Sequence, residues 1–356
     1  MAFTQPVRTL VRDGDAIVIL DQRRLPFVTA TCRLASLEAV AVAITSMQVR
    51  GAPLIGVTAA FGVALALRTD AGDARLAQAL DTLAGTRPTA VNLHWALARM
   101  RARLQGLHPR SRYAAAWDEA QAIAHGDFDT CAAIGRFGVE PLQALARRRS
   151  GPVRIMTHCN AGWLATVGAG TALAPVYEAM ACGIPVHVLV SETRPRNQGL
   201  LTQWELAQAG VPHTLIADNA AGLLLARAEV DVVITGADRI AANGDSANKI
   251  GTYLKALAAF DNRVPFYVAA PLSTIDFDCR SGAEIPIEER DADEVLSIAG
   301  VNRENEPGQI RLAPSTTPVA NPAFDVTPAR LIDGIITEHG ICPATALESL
   351  RTPRTA

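Results

Sequence analysis

RIMTHCNAGWLATVGAGTALAPVYEA (Arg154–Ala179) reads as a strand, a glycine-rich turn and a helix. Val153–Met156 is short and apolar, as a buried β-strand is, and it ends in the small and polar cluster Thr157–Gly162. Gly168 and Gly170 lead into Thr171–Cys182, where apolar residues recur with helical spacing. In α/β proteins this order presents side chains and backbone N–H donors at the carboxyl edge of a sheet. Cys159 at such an edge is either a small buried hydrophobe or a thiol with chemistry to do.

Downstream, apolar runs recur at Val186–Val190, His213–Ala217, Val230–Thr235 and Phe266–Ala269. Helical patterns separate them at Gly199–Ala209, Gly222–Ala228 and Lys249–Phe260. The alternation predicts an α/β fold with a parallel sheet covered on both faces. Asp276–Pro322 reads as loop-rich, and Pro328–His339 as a final helix. Upstream the pattern is helical. Val7–Leu20 reads as a hairpin around Asp13-Gly14-Asp15, and a helix capped by Ser36 runs on to Gly51. Pro53 opens an apolar helix to Leu67, Asp73 caps another to Leu83, and a third runs from Arg87 to about Leu104. Arg112–Arg148, interrupted by Gly126, Gly135 and Gly138, reads as two helices. The polar run Arg147–Pro152 marks a junction, so two domains are expected, a mainly helical one at 1–145 and a second at 146–356.

Composition narrows the function. The 356 residues are 49% hydrophobic and 19% charged with a net charge of -2, which gives no electrostatic case for nucleic acid or an anionic membrane. Met1–Gly14 is polar with scattered charges, unlike a secretory signal, and the apolar run Pro53–Leu67 is shorter than the ~20 residues that span a bilayer. The six cysteines show no Cys-x-x-Cys pair and the histidines no zinc spacing, so reduced thiols in the cytoplasm and no metal are expected.

Three constellations could carry chemistry. Gly168-Ala169-Gly170 begins a dinucleotide fingerprint, but Leu173 stands where the third glycine belongs and the loop before it, about eleven residues, is too long. Arg50-Gly51-Ala52-Pro53, Arg87-Pro88-Thr89-Ala90, Gln198-Gly199 and Asn248-Lys249 each sit where a helix is expected to begin, and three of them bring a cation. Helix N-termini attract anions, so together they suggest a phosphate site between the domains; taken singly, each is ordinary helix punctuation. Asp238, at the end of the Val230 strand, is either a general acid raised by desolvation or the cap of the turn Arg239–Gly244. His158, adjacent to Cys159, points to the other face of a strand and reads as a structural hydrogen-bonder.

Several contiguous motifs resemble the methylthioribose-1-phosphate isomerase family. They are ILDQRRLP (Ile19–Pro26), MQVRGAPLIG (Met47–Gly56), RPTAVNLHWA (Arg87–Ala96), THCNAGWLATVGAGTAL (Thr157–Leu173) and SETRPRNQG (Ser191–Gly199). IADNAAG (Ile216–Gly222), TGADRIAANGDSANKIGT (Thr235–Thr252) and NPAFDVTP (Asn321–Pro328) complete the set. His94, where an aromatic is common, and Cys131-Ala132-Ala133 depart from the family pattern outside the site motifs. The resemblance implies a helical N-terminal domain, a Rossmann-like C-terminal domain and a homodimer without metal or organic cofactor. It also implies conversion of 5-methylthioribose 1-phosphate to its ketose in methionine salvage, with Asp238 as proton donor and Cys159 as its partner. Arg50, Gly51, Ala52, Arg87, Gln198, Asn248 and Lys249 would bind the sugar phosphate. Two alternatives go with it: a sister isomerase acting on 5-deoxyribose 1-phosphate or ribose 1,5-bisphosphate, and a non-catalytic regulatory subunit of the eukaryotic translation-initiation exchange factor. The presence of both Cys159 and Asp238 speaks against the last.

Overall fold

The apolar runs flanking Cys159 form the centre of a mixed α/β structure. The computed structural model describes residues 7–304 and 306–351, so the outer ends of the expected domains (1–6 and 352–356) and part of the Met1–Gly14 reading lie outside the described residues.

The N-terminal part begins with an antiparallel sheet of β1 (Leu10–Asp13), β2 (Ala16–Leu20) and β3 (Thr31–Leu34). β1 and β2 form the expected hairpin, with Gly14 at φ +62° in its turn. Five helices follow: α1 (Leu37–Thr45), α2 (Ala52–Ala66), α3 (Asp73–Ala84), α4 (Val91–Leu104) and α5 (Pro109–Ala146). Ser36 caps α1, its Oγ accepting from Ala39 N at 3.2 Å. That helix stops at Thr45, short of Gly51, because Met47 takes a left-handed φ of +61° and the chain folds back. Asp73 is the first residue of α3, and its cap position is Gly72. α2 is apolar all round because it is surrounded: Leu54–Ala66 are all buried, in a core shared with α1, α3, α4 and the first half of α5.

α5 is a single helix of 38 residues, where its glycines had suggested two. Gly138 serves contact instead of termination. A Cβ there would lie 2.3 Å from Pro175 Cγ, so its absence lets the following helix lie against α5.

The C-terminal part runs β4 (Val153–Thr157), α6 (Ala174–Ala181), β5 (Val186–Ser191), α7 (Gly199–Gln208), β6 (His213–Ile216), α8 (Ala220–Ala226) and β7 (Val232–Thr235). Next come β8 (Arg239–Ala241), β9 (Ser246–Lys249), α9 (Thr252–Asp261), β10 (Phe266–Ala269), β11 (Ile275–Asp276) and the short α10 (Asp293–Leu296). β12 (Ser297–Val301), β13 (Pro307–Arg311), β14 (Phe324–Thr327), β15 (Gly334–Thr337) and β16 (Gly340–Cys342) close the chain. The main sheet has the order β16-β15-β10-β7-β4-β5-β6, parallel except for the edge strand β16. Successive residues fall into different cores: Ile155, Val232 and Ile336 pack on the α5–α6 side, Met156, Val233 and Ile335 on the α8–α9 side. The sheet is therefore covered on both faces, as its apolar strands require. Pro328–His339 is not a helix; Ala329–Leu331 make one 3-10 turn and Gly334–Thr337 pair with β10. Among the described residues no helix is long and apolar enough to cross a membrane.

From β4 the chain builds outward to β5 and β6 on one side, then crosses back to β7, β10 and β15 on the other. The order reverses between β4 and β7. A crevice opens at the carboxyl ends of two such strands, and this is where α/β sheets bind ligands.

Candidate active site

Cys159 follows β4 by two residues and Asp238 follows β7 by three, so adjacent parallel strands deliver both to that crevice. They line one cavity of about 450 Å³. Arg50, Gly51 and Ala52 enter it at the start of α2, Arg87 just ahead of α4, and Gln198 at the start of α7. Asn248 and Lys249 line it too, but from strand β9 and not from a helix start; α9 begins only at Thr252, after Gly251 at φ +99°. The catalytic and substrate-binding residues that the resemblance implies are thus brought together. Asp238 lies beyond the end of β7, and among the described residues no hydrogen bond reaches its carboxylate, so it does not cap the following turn.

Cys159 sits at φ +66°, a left-handed conformation that few non-glycine residues hold. Its peptide groups are pinned on both sides: the N–H donates to Thr193 Oγ1 at 2.9 Å and the carbonyl accepts from Thr202 Oγ1 at 2.7 Å. Burial pushes the thiol up from its usual range, although Arg50 and Lys249 pull it down. Burial likewise raises the Asp238 carboxyl, against Lys249, Arg87 and Arg50. It lowers Lys249, whose Nζ donates to Ala323 O at 2.9 Å and lies 4.3 Å from the Phe324 ring centre. The site holds a carboxyl and a thiol, both shifted toward their protonated forms, beside the cations Arg50 and Lys249. That combination can donate protons to a bound anion.

Most cations around the cavity are already paired. Arg23 bonds Asp21, Arg196 and Arg290 bond Glu294, Arg239 bonds Asp276, and Arg87 lies 3.9 Å from Glu288. Among the described residues Arg50 and Lys249 line the cavity without an ion-paired carboxylate. The buried Gln198 Oε1 likewise has no hydrogen-bond partner among the described residues. Among the described residues no group of three or more His, Cys, Asp or Glu side chains could hold a metal ion.

His158 is structural. Its Nε2 donates to Ile250 O at 2.8 Å, and burial pushes the ring down to about 3. Between pH 6.5 and about 3 the unfolded chain takes up a proton here that the folded chain does not, so acidification through that window destabilises the fold. His158→Gln is expected to flatten this dependence: between pH 6.5 and 4 its melting temperature falls less than that of the native chain. Parallel curves would refute the neutral, buried assignment.

Sequence reasoning missed Asn160, one residue from Cys159, and the polar hairpin β12–β13, which brings Ser297, Ala299 and Gln309 to the cavity. The position of Asn160 in THCNAG was the available signal; the hairpin offered none, since every residue of β13 is exposed.

Comparison with known proteins gives the family. The profile of the Initiation factor 2 subunit family matches residues 48–344. A methylthioribose-1-phosphate isomerase of Dechloromonas aromatica is 61% identical over 342 residues, 96% of this chain and 94% of its own. Another from Gluconobacter oxydans is 57% identical over 344 residues, 95% of this chain and 94% of its own. The crystal structure of 5-methylthioribose 1-phosphate isomerase from Pyrococcus horikoshii OT3 superposes with a TM-score of 0.85 at 39% identity, covering 98% of this chain and 96% of that one. Subunit delta of translation initiation factor eIF-2B from A. fulgidus gives a TM-score of 0.78 at 36% identity, covering 96% and 97%.

Proposed function

The chain belongs to the Initiation factor 2 subunit family, among its methylthioribose-1-phosphate isomerases, and on that premise we propose that it converts 5-methylthioribose 1-phosphate to 5-methylthioribulose 1-phosphate with Asp238 and Cys159 as the reacting pair. The observation that carries the reading is one cavity in which a half-buried carboxyl and a half-buried thiol stand beside Arg50 and Lys249, cations with no carboxylate partner among the described residues.

The chemistry needs these groups. The anomeric oxygen of the substrate carries phosphate, so the ring cannot open as a free sugar does. Asp238 gives its proton to the ring oxygen as the bond from that oxygen to C1 breaks. Arg50 and Lys249, with backbone N–H groups at the starts of α2 and α7, hold the phosphate. Hydrogen then moves from C2 to C1 through an enediol-like intermediate: Cys159, acting as thiolate beside Arg50 and Lys249, takes the proton from C2 and returns one at C1, while the C2 hydroxyl gives its proton to the Asp238 carboxylate, leaving the ketone at C2, the phosphate ester intact and both side chains as they began. Two unpaired cations suit one phosphate better than two, which favours a monophosphate over ribose 1,5-bisphosphate. Apolar lining by Leu25, Phe27, Met47, Ile55 and Phe324 suits an uncharged C5 substituent.

The test supplies 5-methylthioribose 1-phosphate without added cofactor and follows the ketose by phosphorus NMR, in parallel with 5-deoxyribose 1-phosphate. Turnover is expected with the methylthio sugar, and in D2O the product gains solvent deuterium at C1. Cys159→Ser is expected to fall by roughly a hundredfold or more in kcat. No turnover overturns the reading; turnover without deuterium replaces the enediol by a direct hydride shift; a wide preference for the 5-deoxy sugar moves the chain to the sister activity.

A further inference from the structure

Glu205 lies wholly buried on α7, and the reaction proposed above does not use it. Its Oε1 accepts from Asn160 Nδ2 at 2.6 Å and its Oε2 from Leu164 N at 3.1 Å. Asn160 Nδ2 also donates to Thr202 Oγ1 at 3.1 Å, and Thr202 in turn donates to the Cys159 carbonyl at 2.7 Å. On the far side of the same amide, Arg50 Nη1 donates to Asn160 Oδ1, and Arg50 Nη2 donates to Asn160 O at 2.6 Å. A guanidinium can only donate, so the amide must turn its oxygen toward Arg50 and its nitrogen toward Glu205. The direction of every bond along the chain is thereby fixed. It ends at Glu205, whose two oxygens must both accept.

We propose that Glu205 is a positioning residue for the isomerase reaction: through the single amide of Asn160 it fixes both the Arg50 guanidinium that grips the substrate phosphate and the backbone that carries Cys159. The proposal rests on the function argued above for its substrate, and on the hydrogen-bond pattern for its logic. Burial lifts the Glu205 carboxyl to about 8, against the Leu164 N–H, the Asn160 amide and Arg50. An apolar residue in this place would avoid that penalty, as Leu201 and Leu206 of the same helix do. A carboxyl oxygen accepts from Leu164 N–H whether or not the group carries a proton, whereas an amide nitrogen cannot.

Near-isosteric exchanges test the relay. In Glu205→Gln one nitrogen must face either Asn160 Nδ2 or Leu164 N, donor against donor. In Asn160→Asp two carboxyl groups meet where an amide met a carboxyl. The double variant Asn160→Asp/Glu205→Gln restores the directions along the line from Arg50 to Leu164, because the new carboxylate accepts from Arg50 and from the new amide, and that amide accepts from Leu164 N; only the donation to Thr202 Oγ1, whose own hydrogen goes to the Cys159 carbonyl, is not remade. Each single variant is expected to raise KM for 5-methylthioribose 1-phosphate roughly tenfold or more, and the double variant to return within about threefold of the native value. Kd for inorganic phosphate, measured by calorimetry, is expected to follow the same order. Native-like single variants overturn the proposal, as does a double variant no better than the worse single one. Recovery of melting temperature without recovery of KM marks a purely structural pair and overturns it too. If one single variant is insoluble, the other against the double carries the comparison. If the native chain does not turn the sugar over, the reading of function fails, while the phosphate titration still decides the relay; native chain that binds no phosphate overturns it.

Discussion

Asp238→Asn is expected to lower kcat by roughly a thousandfold while KM for the sugar phosphate moves by less than about threefold. The two side chains have nearly the same shape, and the carboxyl makes no hydrogen bond among the described residues that an amide would break. Burial shifts the carboxyl toward its uncharged form, which is the form an amide mimics. What it removes is the proton that leaves. An amide N–H can still hydrogen-bond the ring oxygen but cannot transfer a proton to it, so binding survives and ring opening does not. The native chain should lose activity as pH rises through the raised value of this acid, and the asparagine variant should lack that limb. Stability moves the other way. Above the unfolded value of 3.8 the unfolded chain releases a proton that folded Asp238 keeps, so this residue makes the fold less stable as pH rises toward its own raised value. The variant should therefore melt at the native temperature or above it near neutral pH. A kcat within tenfold of native would remove Asp238 from the chemistry.

The parts legible in the sequence are those whose signal is local. β4, β5, β7 and β10 were readable because strands buried on both faces are continuous apolar runs. Ser36 was readable as a cap because its hydroxyl bonds within its own turn. Where the signal was ambiguous, tertiary pairing settled it. Leu331, Ile332, Ile335 and Ile336 fit a helical spacing as well as a strand, and the edge of β10 makes Gly334–Thr337 a strand. Lys249 reads as the start of α9 because apolar spacing continues backward past Gly251, but pairing with Phe324 of β14 holds it in β9. The site was legible as a set of motifs and not as an arrangement. Arg50 and Cys159 are far apart in the chain, and the bonds from Arg50 to Asn160, with the approach of Gly51 to Ala165, show that the first helices close over the sheet edge. Glu205 left a faint trace, one acid inside the apolar helix GLLTQWELAQ, which spacing alone reads as a solvated face.

Gly51→Ala is expected to lower kcat/KM by roughly a hundredfold and the melting temperature by about 5–10 °C. Gly51 is the N-cap of α2 at φ +92°, ψ 133°, a region that side-chain-bearing L-residues avoid. A Cβ there would stand 2.5 Å from both Cα and Cβ of Ala165 and 2.7 Å from its carbonyl oxygen, all of them parts of a packed turn. Either α2 must withdraw or the turn Trp163–Ala165 must. That turn is held from several sides: Thr9 Oγ1 donates to Trp163 O at 2.8 Å, Gln22 Nε2 to Leu164 O at 2.7 Å, and Leu164 N to Glu205 at 3.1 Å. Moving it disturbs Asn160 through Glu205; moving α2 carries Arg50 away from the phosphate position. Both routes misplace the same cation relative to Cys159 and Asp238, so loss of activity should exceed what the loss of stability accounts for. Gly14→Ala separates the two causes. Gly14 is also left-handed, at φ +62°, but a Cβ there meets nothing within 4 Å, so it bears the conformational penalty without the collision. That variant should lose only a few degrees of melting temperature and keep native kcat/KM. Equal losses in both variants would show that the left-handed backbone alone, and not the close approach of α2 to the Trp163–Ala165 turn, is what Gly51 supplies.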